Sequence, residues 1–123
     1  MITEDYVSFE TAKLLKEKGF DEVCRTSYET ITNKHKVEDC SPSSWGKLNQ
    51  VKRPTLQMVM KWLRQKNDIA IEINVGSGSK DCWISNVIKG YKTENGTYKQ
   101  TFVKFSYEEA CEAAIRYTLE NLI

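Results

Sequence analysis

Hydrophobic positions along residues 54–73, PTLQMVMKWLRQKNDIAIEI, recur first with a helical period and then in strict alternation. At 100° per residue, Leu56, Val59, Met60 and Leu63 gather within about 100° of arc, the stripe of an amphipathic helix. Pro54 at its start needs no N–H there, so a helix is predicted from Pro54 or Thr55 to Lys66. Gln57, Lys61, Arg64 and Gln65 take the polar side. Met58 and Trp62 stand one turn apart beside that polar side and widen the apolar arc to roughly 200°. An arc this wide asks for cover on two sides. After the turn, Ile69, Ile71, Ile73 and Val75 alternate with Ala70, Glu72 and Asn74, the signature of a half-buried strand.

The same reading extends outward. CWISNVI and KQTFVKF follow as two further strands, joined through GSGSKD and KGYKTENGTY, and Asn95-Gly96 is the strongest hairpin signal. Together with IAIEINV they make an antiparallel meander. SFETAKLLKEKGF is a first helix, with Ser8 as N-cap and Gly19 at the left-handed residue past its end, where Phe20 can fold back on Leu15. SYEEACEAAIRYTLENLI is a last helix, opened by a Ser106/Glu109 capping box and a Phe105–Ala110 staple. Its stripe is Tyr107, Cys111, Ala114, Ile115, Thr118 and Leu122. Glu108, Glu112, Arg116 and Glu120 lie opposite, with Glu112 and Arg116 an i, i+4 pair. Between these lies a short strand near Tyr28–Ile31, hairpinned through Asn33 to His35–Val37. Residues 38–53, EDCSPSSWGKLNQVKR, read as one long loop whose Trp45 serves as an anchor. The predicted fold is α+β: an antiparallel sheet of three or four strands and three helices, two of them packed on one face. A chain of 123 residues fits a single domain, 1–123.

Charge changes the picture more than composition does. The net charge is only +1, yet residues 31–66 carry eight basic and two acidic side chains, while residues 1–30 and 105–123 are each net −3. A basic middle between acidic ends suits an anion-binding surface, or a middle neutralised by the terminal helices. With 40% apolar and 28% charged residues and no apolar run of membrane-spanning length, an ordinary globular chain is expected, without membrane partners. The opening MITEDYVSFE is acidic and lacks a signal-peptide core, which points to the cytoplasm. Cys24, Cys40, Cys82 and Cys111 form no CxxC pair and are read as free thiols, with Cys111 a small core hydrophobe.

The segments SFETAKLLKEKGF, PTLQMVMKWLR…IAIEI and SYEEACEAAIRYTLENLI resemble a family of small uncharacterised proteins encoded by phages and prophages of gut bacteria. The resemblance rests on Pro54, Thr55, Lys61, Trp62, Leu63 and Arg64, then on Tyr107, Glu108, Glu109, Ala110 and Leu122, and covers about half of the chain. It implies a phage accessory role, exercised in the host cytoplasm, and carries over no catalytic residue.

The chemistry of the chain is sparse. His35, between Lys34 and Lys36, has Cys24 and Cys40 at a spacing that fits no standard zinc site. GSGSK at 76–80 joins strand to strand, unlike a phosphate-binding loop that opens a helix. Glu108 and Glu112 sit on a wet face and Glu109 is committed to capping. No metal, cofactor or catalytic residue is therefore expected, and the chain is read as non-enzymatic. It is expected to act by binding a host or phage protein or by self-association as a homodimer. The alternative is nucleic-acid or nucleotide binding by the basic, Trp-containing segment 31–66. For either, the candidate residues are Trp45, Lys52, Arg53, Met58, Lys61, Trp62 and Arg64. Met58 and Trp62 await either a partner or the chain's own 38–53 loop, with Trp45 and Leu48, folded over them; the loop is the favoured cover.

Overall fold

The structure, a computed structural model, describes residues 2–29, 35–37, 50–76, 82–93 and 96–123. It is α+β and divides into two compact units, Met1–Thr55 and Leu56–Ile123.

The first unit holds one helix and a three-stranded antiparallel sheet. Helix α1 (Phe9–Glu17) starts where the sequence places it: Ser8 Oγ accepts from the Thr11 N–H at 3.2 Å. It ends in a Schellman turn. Gly19, at φ +85°, lets the chain reverse, the Phe20 N–H donates to the Leu15 carbonyl at 2.9 Å, and the Gly19 N–H donates to Lys16. Strands β1 (Ser27–Glu29), β2 (His35–Val37) and β3 (Gln50–Lys52) follow in the order β2-β1-β3. β1 pairs antiparallel with His35–Val37 as the sequence predicts, starting one residue before the expected Tyr28, while Ile31 and the Asn33 turn lie outside the described residues. Strand β3 is not predicted: it forms the last part of what reads as a loop over 38–53, because three residues are enough when a partner strand supplies the register, Ser27 opposite Lys52 and Tyr28 opposite Val51. Residues 38–49 of that loop, Trp45 and Leu48 included, lie outside the described residues.

Tyr28 ties this unit together. Its hydroxyl donates to the Val7 carbonyl at 2.6 Å, and its ring meets Phe9 edge-on at 5.7 Å. The Val7 N–H donates to Pro54, and Tyr6 bridges to Thr55, so the chain's first residues are pinned beside the end of β3.

The second unit is the predicted meander with two helices on one face. Helix α2 (Leu56–Asn67) leads through a single residue, Asp68, into strand β4 (Ile69–Val75). Strands β5 (Trp83–Lys89) and β6 (Thr97–Lys104) follow, then helix α3 (Tyr107–Asn121). The sheet order is β4-β5-β6, all antiparallel. Ile69, Ser85 and Val87 are buried on the face that carries the helices, and Phe102 meets Tyr117 of α3 at 5.9 Å. Opposite them α3 buries Ala110, Cys111, Ala114, Ile115, Thr118 and Leu119, the predicted stripe shifted by a few positions at its ends. Helix α2 packs against β4 and α3, and its Gln57 side-chain amide donates to the Tyr107 hydroxyl at 2.8 Å.

Asp68 stands at φ +54°, a left-handed conformation that short polar side chains tolerate. Its carbonyl accepts from the Gly90 N–H at 2.8 Å and its carboxylate from the Lys92 N–H at 3.1 Å. The α2–β4 corner and the β5–β6 turn are thereby fastened to each other.

Two local expectations are corrected. Ser106 caps α3 by accepting from the Glu109 N–H at 3.1 Å, but Phe105 is 81% exposed and makes no staple. Arg116 pairs with Glu120 at 3.4 Å rather than with Glu112, because Glu112 turns partly inward and Glu120 stays in water. Trp62 is only 7% exposed, covered as the wide apolar arc of α2 requires. It lies about 60° from Val59 on the wheel, and the long indole closes that gap. Among the described residues, no helix is long and apolar enough to cross a membrane.

Candidate interaction surface

The candidate residues separate into two groups. Lys52 and Arg53 belong to the first unit; Met58, Lys61, Trp62 and Arg64 all lie on α2 of the second. Trp45 lies outside the described residues, as do Cys40, Asn95 and residues 77–80 of the GSGSK turn. Of the candidates on α2, Lys61 is exposed, Met58 and Arg64 are half-buried and Trp62 is buried. The helix therefore offers water a cation, and holds its indole inside.

Arg53 is not a surface cation. It is 5% exposed, and its guanidinium lies over the Tyr6 ring at 3.9 Å and near the Tyr28 ring at 5.6 Å. Its backbone is fixed to Thr26, whose carbonyl accepts from the Arg53 N–H at 2.9 Å and whose hydroxyl donates to the Arg53 carbonyl at 2.7 Å. A planar cation over an aromatic ring, with a second ring nearby, is a favourable way to bury charge, and it commits Arg53 to the interior.

The thiols behave as the sequence suggests for those described. Cys24, Cys82 and Cys111 are free, and Cys24 and Cys111 are buried. Burial pushes the Cys24 thiol up from 9.0 to about 11, against the opposing pull of the Lys52 ammonium. A thiol so raised is a poor nucleophile. Burial likewise raises the Tyr107 phenol. Among the described residues, no three His, Cys, Asp or Glu side chains converge as a metal site would require.

The surface with the most defined chemistry is one the sequence did not single out. On the sheet face opposite α2 and α3, Glu72, Asn86 and Thr101 stand in register across the three strands. Thr101 Oγ1 donates to Asn86 Oδ1 at 2.7 Å, and Asn86 Nδ2 and the Tyr98 hydroxyl both donate to Glu72 Oε1 at 3.4 Å. Apolar residues flank this polar row: Ile84 and Val103 toward one end, Ala70, Ile88 and Tyr98 toward the other. Tyr98 is 64% exposed and Val103 61%.

Both of those residues lie on β6, the strand at one side of the β4-β5-β6 order. β6 is eight residues long, TYKQTFVK, and carries Lys99 and Lys104 with no acid. Lys89 and Lys92 add to the basic balance of residues 82–105, against Glu94 alone. The sequence signal for this was available in the charges of 82–105, but which strand ends the sheet is a tertiary fact. No family model matches this chain, and no curated protein or solved structure matches it.

Proposed function

We propose that the protein is a non-catalytic binding protein that takes an acidic, extended segment of a partner protein alongside β6, as a fourth strand of the β4-β5-β6 sheet. One observation carries this: β6 is a long terminal strand of its sheet among the described residues, and its charges are all of one sign. A strand edge presents backbone donors and acceptors that another chain can pair with. Lysines on such an edge oppose pairing with a second copy of the same strand, since like charges come face to face. They favour an acidic one. That selects a foreign partner over self-association at this edge. The resemblance of the sequence to phage and prophage proteins makes a host or phage protein in the host cytoplasm the proposed partner.

Nucleic-acid binding is the competing outcome, since Lys99, Lys104 and the exposed Tyr98 also suit a single strand. The test is titration of isotope-labelled protein with an extended peptide of alternating glutamate and valine, and separately with an oligothymidylate. Support is movement of the Thr97–Lys104 backbone amide signals with the peptide, weakening with salt. Reversal of charge by Lys99→Glu with Lys104→Glu should weaken it about tenfold, equivalent to about 1.4 kcal/mol. An unmoved β6, or a response to the oligonucleotide alone, overturns the proposal.

A further inference from the structure

The helix-facing side of β6 is not polar throughout. Gln100, Phe102 and Lys104 stand opposite Val87, Ser85 and Trp83 of β5, so they share the side of the sheet on which Ser85 and Val87 are buried under the helices. Of the three, Phe102 alone is apolar, and it is half-buried. Its ring meets the ring of Tyr117 at 5.9 Å, with 64° between their planes. Tyr117 is half-buried as well. On the wheel it borders the buried stripe of α3, and Ala113, one turn earlier and also half-buried, lies on the same border. The Phe102–Tyr117 contact identifies that border as the one beside β6. An aromatic pair thus stands partly open where the sheet ends, and at Ala113 the helix adds only a methyl group.

A strand added beside β6 sends every second side chain to the helix-facing side, in turn beside Gln100, Phe102 and Lys104. The side chain beside Phe102 meets two half-open rings, with room left at Ala113. Resting on the strand-addition reading above, we infer that the partner segment is selected by one large apolar side chain, phenylalanine or leucine, seated beside Phe102 against Tyr117 and Ala113. Such a side chain gains burial that alanine cannot, worth about tenfold or more in affinity. A charged side chain at the same point loses water against the rings without gaining a partner there. Ala113 sets the size that is accepted, so it is a specificity-determining residue.

The test uses an extended peptide of alternating glutamate and threonine, with one central threonine replaced by phenylalanine, alanine or aspartate. Each is titrated into the whole labelled protein beside the glutamate–valine peptide. The phenylalanine peptide should bind about tenfold tighter than the alanine one, and the aspartate peptide weakest. With phenylalanine, the backbone signals of residues 113–117 should move together with those of Thr97–Lys104. Ala113→Leu should remove the preference for phenylalanine by filling its place. If that variant fails to fold, the peptide series on the unmodified protein decides alone. A response of Thr97–Lys104 to the glutamate–valine peptide, with no gain from phenylalanine over alanine, overturns this inference and leaves strand addition standing. If no peptide moves Thr97–Lys104, both fall.

Discussion

The Arg53 guanidinium lies 3.9 Å from the centre of the Tyr6 ring, with the Tyr28 ring at 5.6 Å. Residues far apart in sequence thus close the first unit around a buried cation. Replacing Tyr6 by Leu keeps apolar bulk but removes the ring's negative face, and should cost about 2 kcal/mol, the upper range for a desolvated contact of this kind. Arg53→Lys should cost a similar amount, since an ammonium cannot stack flat. Chemical denaturation of each variant checks both; an unchanged midpoint would show that the stack contributes nothing.

Asp68 permits a sharper comparison, because its side chain and its backbone do different work. Asp68→Ala loses the carboxylate bond to the Lys92 N–H and puts a β-carbon without a polar group at φ +54°, and should cost about 1–2 kcal/mol. Asp68→Asn keeps an acceptor and tolerates the same φ, so it should stay within about 0.5 kcal/mol. Asp68→Gly removes the strain and the bond together and should fall between them. Thermal unfolding of the three gives the ranking.

Gly76 is required by space rather than by dihedral angle. A β-carbon there would meet Cys82 Sγ at 2.7 Å and the Cys82 carbonyl at 3.2 Å. Gly76→Ala should therefore destabilise the protein by about 1–3 kcal/mol, as overpacking does. Adding Cys82→Ala should recover part of the loss but not all, since the carbonyl remains in the way. Full recovery in the double variant would show that only the sulfur is in conflict.

Cys24 makes stability depend on alkaline pH. Its thiol is held neutral in the folded state to about 11, while the unfolded chain ionises it near the ordinary 9.0. Between those values the unfolded state binds fewer protons, so stability falls as pH rises from about 9 through about 11. Tyr107, also raised by burial, acts in the same direction at its own ionisation. Below pH 9 neither contributes a slope. Unfolding measured from pH 8 to 11 should show the decline, and Cys24→Ala should flatten it in part. A slope identical in that variant would assign the effect elsewhere.

The parts of the fold that were legible in the sequence are those decided locally. Ser8 and Ser106 cap helices because a hydroxyl and an orphan N–H three residues on are all the arrangement needs. The alternation of Ile69, Ile71 and Ile73 declares a strand for the same reason. Strand β3 was not legible, because Gln50–Lys52 is too short to show a period and exists through its pairing with β1. Trp62 was legible as a residue in need of cover, but a helical wheel gives the direction of a side chain and not what covers it. Arg53 looked like a ligand contact because nothing near it in sequence shows the two rings that enclose it.

One detail of β6 governs what its outer side presents. Val87 faces Gln100 while Ile88 faces Tyr98, so the strand has one residue, Lys99, more than its neighbour can match. Strict alternation would send Tyr98 and Val103, five positions apart, to opposite sides of the sheet. The extra residue brings both to the same side, where the phenol reaches Glu72. Deleting Lys99 would leave Tyr98 four positions from Val103, so plain alternation would keep the ring on the outer side while the local kink of the strand disappears.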